Sequence, residues 1–282
     1  MKAIVIGRNG QVAYELLATC PKNFSVQCFG RHELNVMDAV ELAKVIGEVR
    51  PEVIINASAY TAVDKAETEQ YAAFALNRDA VANIATVARE NNIRLLHIST
   101  DFVFDGTKTT PYEVNDTPNP VNIYGESKLA GEKMISEIYP GNSAIIRTSW
   151  VYSTHGNNFV KTMLRLMSEK ESLSVVSDQI GSPTYAKGLA VYLWQLAEQE
   201  SLLPIYHYSD LGVASWYDFA MSIQEIAFEK KLLSKKIPIY AISSDAYPTQ
   251  AKRPAFSLLN KENTEDFKYW RVSLKEFFEV QS

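Results

Sequence analysis

Lys2-Ala3-Ile4-Val5-Ile6-Gly7-Arg8-Asn9-Gly10-Gln11-Val12-Ala13 is the stretch whose reading decides the fold. Ala3 to Ile6 is a short, almost wholly apolar run, the pattern of a parallel strand buried on both faces. Gly7, Gly10 and Ala13 follow in a G-x-x-G-x-x-G arrangement with alanine in the third slot, and Tyr14-Glu15-Leu16-Leu17-Ala18 continues as helix. Small residues at such a turn let a pyrophosphate approach the backbone N–H groups and the positive end of the helix. The third slot concerns packing of helix on strand, so Ala13 is compatible with it. A glycine pattern alone is a common coincidence, but one set directly between a buried strand and a helix predicts a nucleotide site.

Working outward, Phe24 to Phe29 reads as a second strand. At its end, where an acid would hydrogen-bond the ribose 2′-hydroxyl of NAD, the chain has Gly30-Arg31-His32 and only then Glu33. A guanidinium there suits a 2′-phosphate and favours NADPH, with NADH possible; a solvated loop charge is the plainer reading of Arg31. Asp38 with Glu41 signals a capped helix ending near Arg50, before Pro51. Val53-Ile54-Ile55 is a third strand that leaves through the small residues Asn56-Ala57-Ser58-Ala59-Tyr60-Thr61, as a flat cofactor requires. Residues 64–70 and 71–90 read as helix, with Asn77 tying backbone together. Arg94 to Ile98 is a fourth strand, ending in Ser99-Thr100-Asp101, whose hydroxyls would point into the ligand crevice. The loop 105–121 carries three prolines and is long enough to be functional. A helix from Tyr124 to about Ile138 follows, then a strand over 143–147 with Thr148, Ser149, Trp150 and Tyr152 at its end.

This alternation commits the fold to an α/β, doubly wound parallel sheet of Rossmann type. Helices at 157–169, 186–199, 215–228 (capping box closed by Asp218) and from Ser273 (capped with Glu276) alternate with strands at 173–176, 205–208 and 237–242. They predict a smaller C-terminal α+β substrate lobe. The division expected is 1–149 with about 171–200 for the nucleotide domain, and about 150–170 with 201–282 for the lobe. The loops 178–184 and 252–254 are candidates for gripping a substrate.

Tyr124 and Lys128 are four residues apart and so share one helix face. A free phenol has a pKa of roughly 10 and is a poor acid at neutral pH unless a neighbouring cation favours its ionised form. Lys128 is placed to be that cation. Taken alone, the spacing also fits a solvated lysine beside a half-buried tyrosine.

The chain has 282 residues, 46% hydrophobic and 22% charged, which is ordinary globular composition. A net charge of −5 without basic runs argues against nucleic acid as a partner. No apolar run approaches the roughly 20 residues that cross a bilayer, and the opening strand is not a signal peptide, so a cytoplasmic protein without a membrane partner is expected. Cys20 and Cys28 read as reduced core thiols.

Taken jointly, Gly7-x-x-Gly10-x-x-Ala13, Ser99-Thr100-Asp101 and Tyr124-x-x-x-Lys128 resemble the extended short-chain dehydrogenase/reductases. With Asn56-Ala57-Ser58-Ala59-Tyr60-Thr61-Ala62-Val63-Asp64-Lys65-Ala66-Glu67, Arg147-Thr148-Ser149-Trp150, Gly156-Asn157-Asn158-Phe159, Asp178-Gln179-x-Gly181-x-Pro183-Thr184 and Arg253-Pro254, the chain is similar over its whole length to the dTDP-4-dehydrorhamnose reductase family. The resemblance implies Tyr124 as proton donor to a sugar C4 carbonyl, Lys128 as its pKa modifier and ribose holder, and Thr100 as a hydrogen-bond donor to the carbonyl oxygen. It implies Asp101, Trp150, Asn158 and Arg253 as contacts of a dTDP-sugar. For the cofactor it implies Gly7, Asn9, Gly10, Gln11, Val12, Arg31, Asn35, Val36, Ala57, Ala59, Tyr60, Thr61 and Ile98 together with Tyr124 and Lys128. Some members are dimers joined through Mg²⁺. Glu15 fits one ligand, but Lys187 stands where a second would be and the turn around Glu279 matches poorly. No metal site is therefore expected, and the chain should be a monomer or weak homodimer. A dehydratase would carry a second acid where Phe102 stands. An epimerase would keep its NAD, against Gly30-Arg31. Reductases of related nucleotide 4-keto-6-deoxy sugars, and a non-catalytic NADP-binding subunit like that of methionine adenosyltransferase, are the alternatives.

Overall fold

The computed structural model describes residues 1–261 and 266–281. Its centre is a six-stranded, wholly parallel sheet. Strand β1 (Lys2–Ile6) is followed by α1 (Gln11–Ala18), β2 (Ser25–Phe29), α2 (Ala39–Val49) and β3 (Val53–Asn56). Then come α3 (Val63–Ala66), α4 (Gln70–Phe74), α5 (Ala80–Glu90), β4 (Arg94–Thr100), α6 (Ile123–Ile138) and β5 (Ser143–Thr148). Strands 1, 3, 4 and 5 are apolar and almost fully buried because helices cover both sheet faces.

The rest of the chain comprises β6 (Val151–Tyr152), α7 (Phe159–Glu169), β7 (Leu173–Val176), β8 (Ile180–Gly181), β9 (Thr184–Tyr185), α8 (Ala186–Glu198), β10 (Ile205–Tyr208), β11 (Ala214–Ser215), α9 (Trp216–Glu229), β12 (Ile239–Ile242) and α10 (Trp270–Gln281). The central order is β10-β5-β4-β3-β1-β2. Two expected boundaries are corrected here. Strand 205–208, assigned to the lobe, pairs with β5 at the edge of the central sheet, Ile205 opposite Ile145. Strand 173–176, assigned to the nucleotide domain, pairs instead with β12. The reason is register: β5 needs a partner on its open edge, and α8, packed on α1 through Leu189, Leu193 and Trp194, delivers the chain there. A second core, built from α7, α9 and α10 around Tyr152, Phe219 and Phe277, forms the lobe.

Local signals explain most element ends. Asp38 accepts from Val40 and Glu41 N–H at 2.9 and 3.0 Å, and Ser215 with Asp218 closes the expected capping box. The last helix begins at Trp270, three residues before the expected start. The backbone N–H of the buried Trp270 donates to Leu211 O at 3.0 Å and docks the chain early. The helix expected over 71–90 is interrupted by a π-turn, Ala75–Asp79, and that turn brings α6 close. A Cβ on Gly131 would lie 2.1 Å from Asn77 O, and one on Gly125 would lie 2.2 Å from Phe102 O. Only glycine permits these approaches, and they fix where α6 presents its side chains.

Candidate active site

Every parallel strand ends on the same edge of the sheet, and the predicted residues gather along it. Gly7, at φ 114°, turns tightly after β1; a Cβ there would meet the Ala57 carbonyl at 2.8 Å. A cleft of about 460 Å³ runs past Gly7, Asn9, Gly10, Arg31, Asn35, Val36, Ala57 and Ala59. A flat anionic dinucleotide fits this cradle: small residues floor it, no carboxylate among the described residues lines it, and the N-terminus of α1 adjoins it through Gly10, its N-cap. Glu33, the one acid near the end of β2, is engaged elsewhere. It pairs with Arg8 and accepts the Gly30 N–H at 2.8 Å, while exposed Arg31 reaches into the cleft. Thr61 is exposed, and the Tyr60 hydroxyl donates to Glu69 at 2.7 Å. Val12 packs under the turn, and Gln11 donates to Val151 O and accepts from Asn158.

Asn77 has the tethering part expected of it. It accepts from Tyr60 N at 2.8 Å and donates to Tyr60 O and to Ser127 Oγ, linking the cofactor loop to α6. Asn122 caps α6 by accepting from Gly125 N at 2.8 Å and donates to Lys252 O at 2.7 Å, so the helix start is tied to the lobe.

Thr100, Tyr124 and Lys128 come together at the end of β4. The Thr100 hydroxyl neighbours the Tyr124 phenol, accepts the Phe102 N–H at 3.2 Å and donates to Asp101 at 3.1 Å. Lys128, 2% exposed, donates to Ile98 O at 2.7 Å. Burial pushes the Lys128 ammonium down to about 8, partly countered by Glu132 one turn on. Enclosure pushes Tyr124 up to about 12; the Thr100 hydroxyl works against this rise and the neighbouring Asp101 adds to it. The sequence expectation was a phenol lowered by its lysine. In the folded chain burial dominates instead, because Lys128 turns its ammonium to Ile98 O and His97. Asp101, also buried, is raised to about 7 by desolvation, against the neighbouring Ser257 and the hydrogen bond from Thr100.

A second cavity, about 720 Å³, opens between the sheet and the lobe. Trp150, Arg253 and Gln179 line it, as do Phe102, whose ring meets Tyr124 edge-on at 5.8 Å, and Ser257 beside Asp101. Thr100, Tyr124 and Lys128 are not among the residues that line either cavity; Tyr124 adjoins the second through the Phe102 ring. Trp150, held at φ 48°, stacks on Trp216 at 3.6 Å. Arg253 is paired with Asp64 at 2.8 Å across the cavity mouth. Asn158 is not aimed at this space. Its amide caps α7 through Lys161 N and donates to Gln11 and Ser153 O, so a substrate contact would have to break a filled set of bonds.

Sequence reading missed Trp216, Phe159 and Tyr247 in the cavity wall, and the buried pair behind the site. There Arg147 of β5 grips Glu132 of α6 through two nitrogens, at 3.0 and 2.7 Å, and Ser99 also donates to Glu132. An arginine in an otherwise apolar strand and a glutamate one turn past Lys128 were the available signals. Glu15, the residue that fits one ligand of the metal pattern in the sequence, accepts from Ser153 at 2.6 Å. Among the described residues no cluster of three His, Cys, Asp or Glu could hold a metal.

A hydroxyl pair over a buried lysine, at the carboxyl edge of a doubly wound sheet with a dinucleotide cleft, defines an NADP(H)-dependent enzyme of the extended short-chain dehydrogenase/reductase class. The profile of the family described as RmlD substrate binding domain matches residues 1–282. A dTDP-4-dehydrorhamnose reductase of Sinorhizobium fredii is 40% identical over 94% of this chain and 90% of its own length. The Bacillus subtilis spore coat polysaccharide biosynthesis protein SpsK is 36% identical over 100% and 98%. The crystal structure of the Bacillus anthracis dTDP-4-dehydrorhamnose reductase in complex with NADP superposes with a TM-score of 0.93 at 35% identity, covering 100% of this chain and 99% of that one. The chain belongs to the dTDP-4-dehydrorhamnose reductase family.

Proposed function

We propose that the chain reduces the C4 ketone of dTDP-4-dehydro-L-rhamnose to dTDP-L-rhamnose with NADPH. The observation that carries this reading is that the Thr100 hydroxyl neighbours the Tyr124 phenol, with Lys128 one helical turn on, in a chain of this family. A ketone oxygen seated between the two hydroxyls receives two hydrogen bonds that strengthen as negative charge develops, worth on the order of a few kcal/mol in the transition state. Tyr124 gives its proton to that oxygen. Thr100, whose oxygen accepts the Phe102 N–H, turns its one proton from Asp101 to that ketone oxygen. Lys128 holds the nicotinamide ribose and, in its protonated form, places positive charge near the phenol. NADPH, when bound, supplies the hydride, and the protein supplies position and the proton.

Gly7, Asn9, Gly10, Gln11 and Val12 are assigned to the pyrophosphate turn, Arg31 to the 2′-phosphate, and Asn35, Val36, Ala57, Ala59, Tyr60, Thr61 and Ile98 to the adenosine and nicotinamide ends. Trp150, Asp101 and Arg253 are assigned to the sugar nucleotide, whose diphosphate would compete with Asp64 for Arg253. In this account the nucleotide domain is the sheet with its helices, β10 included, and the substrate lobe is built on α7, α9 and α10. The similarity to SpsK, a spore coat polysaccharide biosynthesis protein, supports a product destined for surface polysaccharide. We assign the chain to the cytoplasm, as a monomer or weak homodimer; among the described residues no helix is long and apolar enough to cross a membrane.

The test is NADPH oxidation on addition of the 4-keto sugar nucleotide. Tyr124→Phe should lose on the order of a hundredfold or more in turnover while binding NADPH nearly as before. Unchanged turnover would remove Tyr124 from its role.

A further inference from the structure

Behind Lys128 lies a chain of hydrogen bonds that the reaction as described does not use. Asn56 ends β3 and His97 is its register partner on β4, both buried. Asn56 Oδ1 accepts from the Ser58 backbone N–H at 3.1 Å and from Ser58 Oγ at 2.6 Å. A backbone N–H can only donate, so the amide orientation is fixed and the NH₂ faces His97 Nδ1, 3.0 Å away. Nδ1 is then an acceptor, and the neutral ring carries its proton on Nε2. That N–H faces Lys128 Nζ at 3.4 Å. A donor aimed at an amine nitrogen is repelled by the ammonium and welcomed by the neutral amine's lone pair.

We propose that Asn56 and His97 are positioning residues that set the protonation state of Lys128, holding an N–H against its nitrogen so that the lysine gains and loses a proton in the working pH range rather than staying a fixed cation. The direction agrees with the rest of the surroundings. His97, wholly enclosed beside Lys128, is held well below the usual imidazole range and stays neutral. The other ionisable groups facing the site are few. Glu132 favours the ammonium but is shared with Arg147 and Ser99; Tyr124 lies one turn before, and Asp101 lies beyond Thr100. On the adjoining π-turn, Arg78 and Asp79 pair with each other at the surface.

The inference rests on the reductase reading only for its kinetic arm. The first arm needs no turnover: ¹⁵N-labelled histidine in the intact protein, read by long-range ¹H–¹⁵N NMR at neutral pH, should show His97 neutral with Nε2 protonated. An Nδ1-protonated or cationic ring would overturn the proposal. The second arm is Asn56→Asp, whose carboxylate accepts from Ser58 and from His97, forcing the imidazole proton onto Nδ1 and turning a bare Nε2 towards Lys128. The ammonium is then favoured, and the limb of the pH–rate profile belonging to Lys128 should move up by about one pH unit, a tenfold change in the proton equilibrium. An unmoved limb in a folded, active variant would also overturn it. If no protein form turns over, the reductase reading fails while the NMR result still decides the tautomer.

Discussion

Removing one partner of the Arg147–Glu132 pair should be the most costly single change near the site. Both side chains are almost wholly enclosed, at 2% and 4% exposure. Arg147 also lies over the Phe104 ring at 5.1 Å. Arg147→Met fills similar volume but leaves the Glu132 carboxylate with only the Ser99 hydroxyl. Breaking a buried pair in this way costs roughly 3–5 kcal/mol, chiefly because the remaining charge is uncompensated. For a chain of this size each kcal/mol lowers the melting temperature by about 2–4 °C, so a fall on the order of 10 °C is expected. The double variant Arg147→Met/Glu132→Leu removes both charges and should recover most of the loss. Thermal unfolding of the wild type, both single variants and the double variant measures the coupling directly. A single variant that loses less than about 1 kcal/mol, or a double variant as unstable as the sum of the singles, would refute the reasoning.

Two further outcomes are expected. Arg31→Ala should weaken NADPH on the order of tenfold and leave NADH nearly unchanged, since only the 2′-phosphate gives the guanidinium a charged partner; titration of both cofactors checks this, and equal loss would make Arg31 a surface charge only. Asp101 in the folded chain titrates near 7, above its unfolded range near 4, so the native state holds the extra proton and wild-type stability falls as pH rises between those values. Asp101→Asn has no such proton to lose, so its stability relative to wild type should improve from pH 5 to pH 8; a relative stability that declines instead would contradict the burial argument.

How much of this was legible depended on range along the chain. The buried strand before Gly7, the small loop after β3 and the Tyr124–Lys128 spacing are local patterns, and each led to an element of the site. So did the caps at Asp38 and Ser215, whose side chains bond within three residues. Contacts made across long separations left no such mark. The four-residue strand at 205–208 looks like the short lobe strands, and only the open edge of β5 decides where it goes. The Asn77 π-turn answers Gly131, more than fifty residues on, and its cause is invisible in either segment alone. Asn158 reads as a ligand contact from motif position, yet its amide is spent on a helix cap and on Gln11. The fall of Lys128 and rise of Tyr124 depend on enclosure, which spacing on a helix does not report.

The account depends most on hydride delivery to a ketone carbon while Tyr124 protonates its oxygen. Incubating the protein with the dTDP-4-keto sugar and NADPH deuterated at nicotinamide C4, then reading the product by NMR, tests this directly. Deuterium on sugar C4 of dTDP-L-rhamnose is the predicted result. Deuterium elsewhere, or an unreduced sugar with cofactor bound, would contradict it.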